Sequence, residues 1–147
     1  MPTILVIDDD PKFQDGLEHM LSGAGYDVLR ADDGLEGVRL LEKRHQTIDL
    51  AIIDLALPGI NGFEIIGAVS RRPNAVKIIA TTGIYGESHL EAAGSLGAHA
   101  VIRKPAAGAR LPQKEWLNVI GQLVGPAHRG KGAIVGGNPD PASAEPD

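Results

Sequence analysis

An α/β fold built on a parallel sheet is what this sequence predicts, and three observations predict it. Apolar runs of strand length alternate with segments of helical period along residues 3–124. The most apolar run, residues 49–55, is continuous except at its ends, as a central strand covered on both faces would be. Several runs also end in reactive side chains. Thr3-Ile4-Leu5-Val6-Ile7 leads into Asp8-Asp9, Leu50-Ala51-Ile52-Ile53 into Asp54, Lys77-Ile78-Ile79-Ala80 into Thr81-Thr82, and Ala100-Val101-Ile102 toward Lys104-Pro105. The ends of parallel strands share one edge, where open α/β sheets place their ligands.

Each element has its own signal. After the first strand, Asp10 is a good N-cap and Pro11 occupies the first helical position. Phe13, Leu17, Met20 and Leu21 share one face of that helix, which Gly23 to Gly25 close. Residues 27–31 form a short second strand, and Leu35, Val38 and Leu41 mark the apolar face of a second helix. The third strand, over residues 49–55, is followed by the loop Pro58-Gly59-Ile60-Asn61-Gly62 and a helix striped by Phe63, Ile66 and Val69. Residues 77–82 are the fourth strand, residues 87–96 a weak helix with Gly94 inside it, and residues 100–103 the fifth strand. The last helix covers residues 112–124, with Trp116, Leu117, Val119, Ile120, Leu123 and Val124 on a broad apolar stripe.

From Gly125 onward the composition turns to Gly, Pro and Ala. Such a segment buries too little apolar area to offset its ordering entropy. Residues 1–124 are therefore expected to form the domain and residues 125–147 a flexible tail, with Ala133-Ile134-Val135 its one stretch able to pair with a sheet edge.

Composition narrows the function. At 147 residues the chain is one domain's worth, and 43% apolar content with 3% aromatics requires an aliphatic core. A net charge of −5 gives no basic footprint, so nucleic acid is not an expected direct partner. The absence of cysteine removes disulfides, thiolate nucleophiles and Cys-ligated zinc. The N-terminal apolar run is too short for a signal or a membrane segment, and a soluble cytoplasmic protein is expected. The histidines at 19, 45, 89, 99 and 128 show no metal-ligand spacing.

Asp8, Asp9 and Asp54 at neighbouring strand ends would repel one another without a cation. Hard oxygen ligands with room for water suit Mg²⁺. Taken alone, Asp8-Asp9-Asp10 would be an ordinary helix start favoured by the dipole, and Thr82 and Lys104 ordinary strand-end residues. Convergence is what raises them together. Asp54 ends the most apolar strand, where a carboxylate is costly without a compensating cation, and a carboxylate is also a competent phosphoryl acceptor. Thr82 offers a hydroxyl and Lys104 a point charge suited to phosphate.

Asp8-Asp9-Asp10-Pro11, Asp54 with Pro58-Gly59-Ile60-Asn61-Gly62, Thr82-Gly83, Gly97-Ala98 and Lys104-Pro105 together resemble the response-regulator receiver domain of two-component signalling. The resemblance covers about residues 3–124 in one register, with Lys104 following Thr82 by 22 positions. It implies a doubly wound, flavodoxin-like sheet of five parallel strands in the order 2-1-3-4-5. It also implies phosphoryl transfer onto Asp54 from a sensor histidine kinase or a histidine phosphotransfer protein. Mg²⁺ would be ligated by Asp9, Asp54 and the Ala56 carbonyl directly and by Asp8 through water, with Thr82 and Lys104 on the phosphoryl oxygens. The implied protein is no enzyme beyond its own phosphorylation and dephosphorylation. With no output domain in the sequence, it would act as a stand-alone unit that docks on a downstream target protein or on a second copy of itself.

The chain departs from the family pattern in three places. Val101 stands where an aromatic is usual in the last strand, which bears on the coupling of that aromatic to Thr82. Residues 106–110 make a longer entry to the last helix. Ala56 and Ile84, two positions past Asp54 and Thr82, are both apolar. The rival reading is a phosphatase of the haloacid-dehalogenase type with Asp8 as nucleophile. Against it stand Lys12 where that motif wants Thr or Val, the missing acidic pair after Lys104, and an unexplained Asp54. A flavin-binding module fits less well, because three carboxylates would repel the flavin phosphate.

Overall fold

The computed structural model describes residues 1–72, 76–84, 86–106 and 108–126. Strands and helices alternate as β1 (Thr3–Ile7), α1 (Pro11–Gly23), β2 (Asp27–Ala31), α2 (Gly34–Arg44), β3 (Leu50–Asp54), α3 (Gly62–Ser70), β4 (Lys77–Thr82), α4 (Glu87–Leu96), β5 (Ala100–Arg103) and α5 (Gln113–Val124). All strand pairs are parallel, in the order β2-β1-β3-β4-β5.

The strand period of two divides the interior into two cores. Leu5 and Ile7 of β1 and Ala51 and Ile53 of β3 face a cluster closed by α2, α3 and α4. Ile4 and Val6, with Leu50 and Ile52, face the other cluster, closed by α1 and α5. Every residue of β3 is buried, as its continuous apolar run requires. Edge strand β5 alternates between half-buried and exposed positions, which leaves Val101 40% exposed.

The helix starts follow local chemistry. The Asp10 side chain accepts from the Lys12 and Phe13 amides, and Asn61 and Glu64 form a reciprocal capping box at α3. The second helix corrects the sequence expectation at one position. Leu41 is buried and Val38 packs against the core as expected, but Leu35 is 49% exposed, and Gly34 and Gly37 are buried alongside them. These glycines permit close approach: a Cβ at Gly37 would run into the Ile7 side chain, and one at Gly34 into Ile60. On α5 the broad stripe is used up internally. Trp116 and Ile120 are fully buried, and Leu117, Val119, Leu123 and Val124 pack against the same cluster.

Gly125 is tied to the domain rather than free of it, since its carbonyl accepts the Tyr26 hydroxyl at 3.0 Å. The rest of the expected tail from residue 127, including the pairing considered for 133–135, lies outside the described residues.

Register sets the working edge. Ile7 pairs with Ile53, Asp54 with Thr81, and Thr82 with Arg103. The residues that follow β1 and end β3 and β4 therefore meet at one level of the sheet.

Candidate functional site

Asp8 is 1% exposed, immediately beyond β1. Its Oδ1 accepts the Asp10 amide at 2.9 Å, which folds the acidic turn back on itself before α1 begins. Its Oδ2 lies 2.9 Å from Lys104 Nζ, yet it is buried without an aligned hydrogen bond. The contact is thus a charge pair more than a directed bond. Asp54, 3% exposed at the end of β3, accepts the Ala56 amide on Oδ1 at 3.0 Å and the Lys104 ammonium on Oδ2 at 3.2 Å. Asp9 is exposed. Asp8, Asp9 and Asp54 each present a carboxylate oxygen within 4.8 Å of the others.

The remaining predicted residues sit around this group. Lys104, its side chain 13% exposed, follows β5 and bridges Asp8 and Asp54. Thr82 is buried at the end of β4, and its hydroxyl accepts the Ile84 amide at 3.1 Å. Lys104 is hydrogen-bonded through its own amide to the Thr82 carbonyl, which joins the last two site residues along the sheet edge. Ile84, two positions past Thr82, is 79% exposed.

Electrostatics favour a hard cation here. Burial pushes the Asp8 carboxyl up to about 6 against the pull of Lys104 and the Asp10 amide, and the Asp54 charge adds to the rise. Burial pulls the Lys104 ammonium down, but its pairing with Asp8 and Asp54 outweighs this and raises it. Three carboxylates against one ammonium leave excess negative charge. The buried Asp8 Oδ2 with no aligned donor is an oxygen suited to such an ion or its water.

Sequence reasoning missed one residue of the assembly. Gln14, 1% exposed on the apolar face of α1, donates its amide to the carbonyls of Asp8 at 2.6 Å and Ala31 at 2.7 Å. Its oxygen accepts Arg30 Nε at 2.9 Å, and Arg30 reaches on to Asp15 and Glu18, each at 2.8 Å. A polar residue inside the stripe of Phe13 and Leu17 was the available signal.

The chain is similar to known proteins in both sequence and fold. AfsQ1, a transcriptional regulatory protein of Streptomyces coelicolor, is 35% identical over 108 residues, covering 74% of this chain and 47% of that protein. A 14.6 kDa protein of Leptolyngbya boryana is 36% identical over 104 residues, covering 69% of this chain and 78% of its own length. The chain spans about half the length of the Streptomyces regulator, and the aligned part is 26% of the RpaA regulator of Synechocystis. Among solved structures, a response regulator receiver domain protein from Clostridium thermocellum superposes with a TM-score of 0.76 at 25% identity, over 84% of this chain and 94% of that one. A CheY-like receiver domain protein from Methanospirillum hungatei gives 0.74 at 27% identity, over 83% and 92%. No helix among the described residues is long and apolar enough to cross a membrane. The sequence profile of the response regulator receiver domain matches residues 4–114. With its sheet order and acidic edge, this chain belongs to the response regulator receiver domain family of two-component signalling.

Proposed function

We propose that Asp54 accepts a phosphoryl group from a phosphohistidine of a sensor kinase or phosphotransfer protein. The observation that carries this reading is the Lys104 ammonium, 2.9 Å from Asp8 and 3.2 Å from Asp54. In transfer, the P–N bond to the donor histidine breaks as a P–O bond to Asp54 forms, and the imidazole leaves. Phosphoryl transfer needs in-line placement and charge neutralisation more than covalent help. Lys104 is already at the accepting carboxylate, and the Thr82 hydroxyl ends the adjacent strand. The Ala56 amide on Oδ1 holds the plane of the Asp54 carboxylate. Mg²⁺ ligated by Asp9, Asp54 and the Ala56 carbonyl, and by Asp8 through water, would supply the further positive charge that the phosphoryl oxygens need.

In this reading residues 1–124 are the receiver unit, residues 125–147 are an appendage to it, and the signal leaves by docking on a protein partner. The test is incubation with phosphoramidate and Mg²⁺, read by intact mass. The parent gains one phosphoryl group, and Asp54→Asn gains none. Equal labelling of Asp54→Asn, or labelling that survives EDTA, would overturn the assignment. In the phosphatase reading, Asp8→Asn would instead abolish steady turnover of a phosphate ester while Asp54→Asn would not.

A further inference from the structure

Lys104 has a third neighbour that the carboxylates do not explain. Its Nζ lies 4.6 Å from the centroid of the Phe13 ring, over the ring itself. An ammonium within about 6 Å of an aromatic centroid is attracted by the ring quadrupole, more strongly where water is excluded. Phe13 is 8% exposed and Asp8 and Asp54 are buried, so the ammonium is confined among two carboxylates and a ring. The stem runs alongside Gly83, where a Cβ would stand in ordinary van der Waals contact with Lys104 Cβ and Cδ at 3.7 Å.

The ring is itself held. Fully buried Trp116 packs edge-on to Phe13, with centroids 6.1 Å apart and planes inclined by 61°. On the open side, Phe13 and Lys104 both line a groove of about 1010 Å³ between α1 and the chain entering α5, together with Gly16 and Leu111. Without the ring, the flexible four-carbon stem of Lys104 has space into which the ammonium can drift.

We propose that Phe13 is a positioning residue for phosphoryl transfer: its ring, braced by Trp116, holds the Lys104 ammonium at Asp54. The proposal rests on the reading of Asp54 as the acceptor and deepens it. Phe13 touches no reacting atom and acts only through Lys104. A leucine at 13 would keep the apolar packing and lose the ring face, whereas a tyrosine would keep both.

The experiment measures labelling by phosphoramidate with Mg²⁺ for the parent, Phe13→Leu, Phe13→Tyr, Lys104→Ala and the Phe13→Leu/Lys104→Ala pair. Thermal melts confirm that each is folded. Phe13→Leu is expected to label about tenfold more slowly, equivalent to about 1.4 kcal/mol, and Phe13→Tyr within about twofold of the parent. In the Lys104→Ala background, Phe13→Leu is expected to cost nothing further, which a merely structural role would not produce. NMR supplies a second readout, because the ring should shift the Lys104 ε-methylene protons upfield in the parent and Phe13→Tyr but not in Phe13→Leu. Parent-rate labelling of Phe13→Leu, or the same loss with and without Lys104, would overturn the proposal. If the parent takes no label, the Asp54 reading fails by itself. The methylene shift then decides Phe13: its loss in Phe13→Leu supports the contact, and an unchanged shift removes it.

Discussion

The Gln14 side-chain amide donates to the Asp8 carbonyl at 2.6 Å, so the acidic turn is clamped from inside helix α1. Gln14→Leu would leave that carbonyl without this donor and strip Arg30 of one acceptor. The Ala31 carbonyl would keep the Asp8 amide as a partner. The expected loss is about 2 kcal/mol, read as a fall of roughly 5–10 °C in Tm. Weaker Mg²⁺ binding should accompany it, since Asp8 and Asp9 hang from the clamped turn. An unchanged Tm would show that water replaces the amide.

Acidification should loosen the proposed metal site. Asp8 must be ionised to hold Mg²⁺ or its water, and its carboxyl is raised to about 6 by burial. Mg²⁺ affinity at constant ionic strength should therefore fall as pH drops through about 6. Binding that stays level from pH 7 to pH 5 would contradict this.

The same shift predicts a stability effect of opposite sign in the metal-free protein. The folded value lies above the ordinary 3.8, so protonated Asp8 favours the folded state. That contribution is fully present below about pH 3.8 and is lost as pH rises through about 6. At pH 7 the buried charge costs about 3 kcal/mol as an upper figure. Asp8→Asn, which keeps an oxygen for the Asp10 amide, should raise Tm at pH 7 and change it much less near pH 4. A destabilised variant at pH 7 would show that pairing with Lys104 outweighs burial.

Two glycine substitutions should move stability in opposite directions. A Cβ at Gly62 would collide with the backbone at Asp54 and Leu55, so Gly62→Ala should cost more than about 2 kcal/mol and slow labelling of Asp54. At Gly94, inside α4, a Cβ meets nothing within 4 Å, and Gly94→Ala should add about 0.5–1 kcal/mol. Denaturant midpoints check both, and equal shifts would refute the steric distinction.

Loss of the phosphoryl group should be slow for want of a side chain that orients water. Neither the Ala56 nor the Ile84 side chain can hydrogen-bond an attacking water. Replacing Ala56 with Asn and Ile84 with Glu should speed decay of the label without slowing its gain. Parent-like decay in the double variant would show that another step limits the lifetime.

Much of this protein can be read from its sequence, because local rules act there without competition. Strand periodicity, the Asp10 cap before Pro11, and polar residues at the ends of apolar runs point Asp8, Asp54, Thr82 and Lys104 to one edge. What periodicity could not supply was distance. Leu35 fits the apolar pattern of α2 yet faces solvent, while Gly37 of that helix lets its backbone press against Ile7. Gln14 and Phe13 look like two residues of one buried face, and Trp116 like part of a surplus stripe. Tertiary packing instead makes Gln14 the clamp on the acidic turn, Phe13 the seat of the Lys104 ammonium and Trp116 its brace. The Phe13 contacts with Lys104 and Trp116 join segments about a hundred residues apart, and Gln14 ties Asp8 to Ala31 of the next strand; only folding brings these segments within reach of short-range forces.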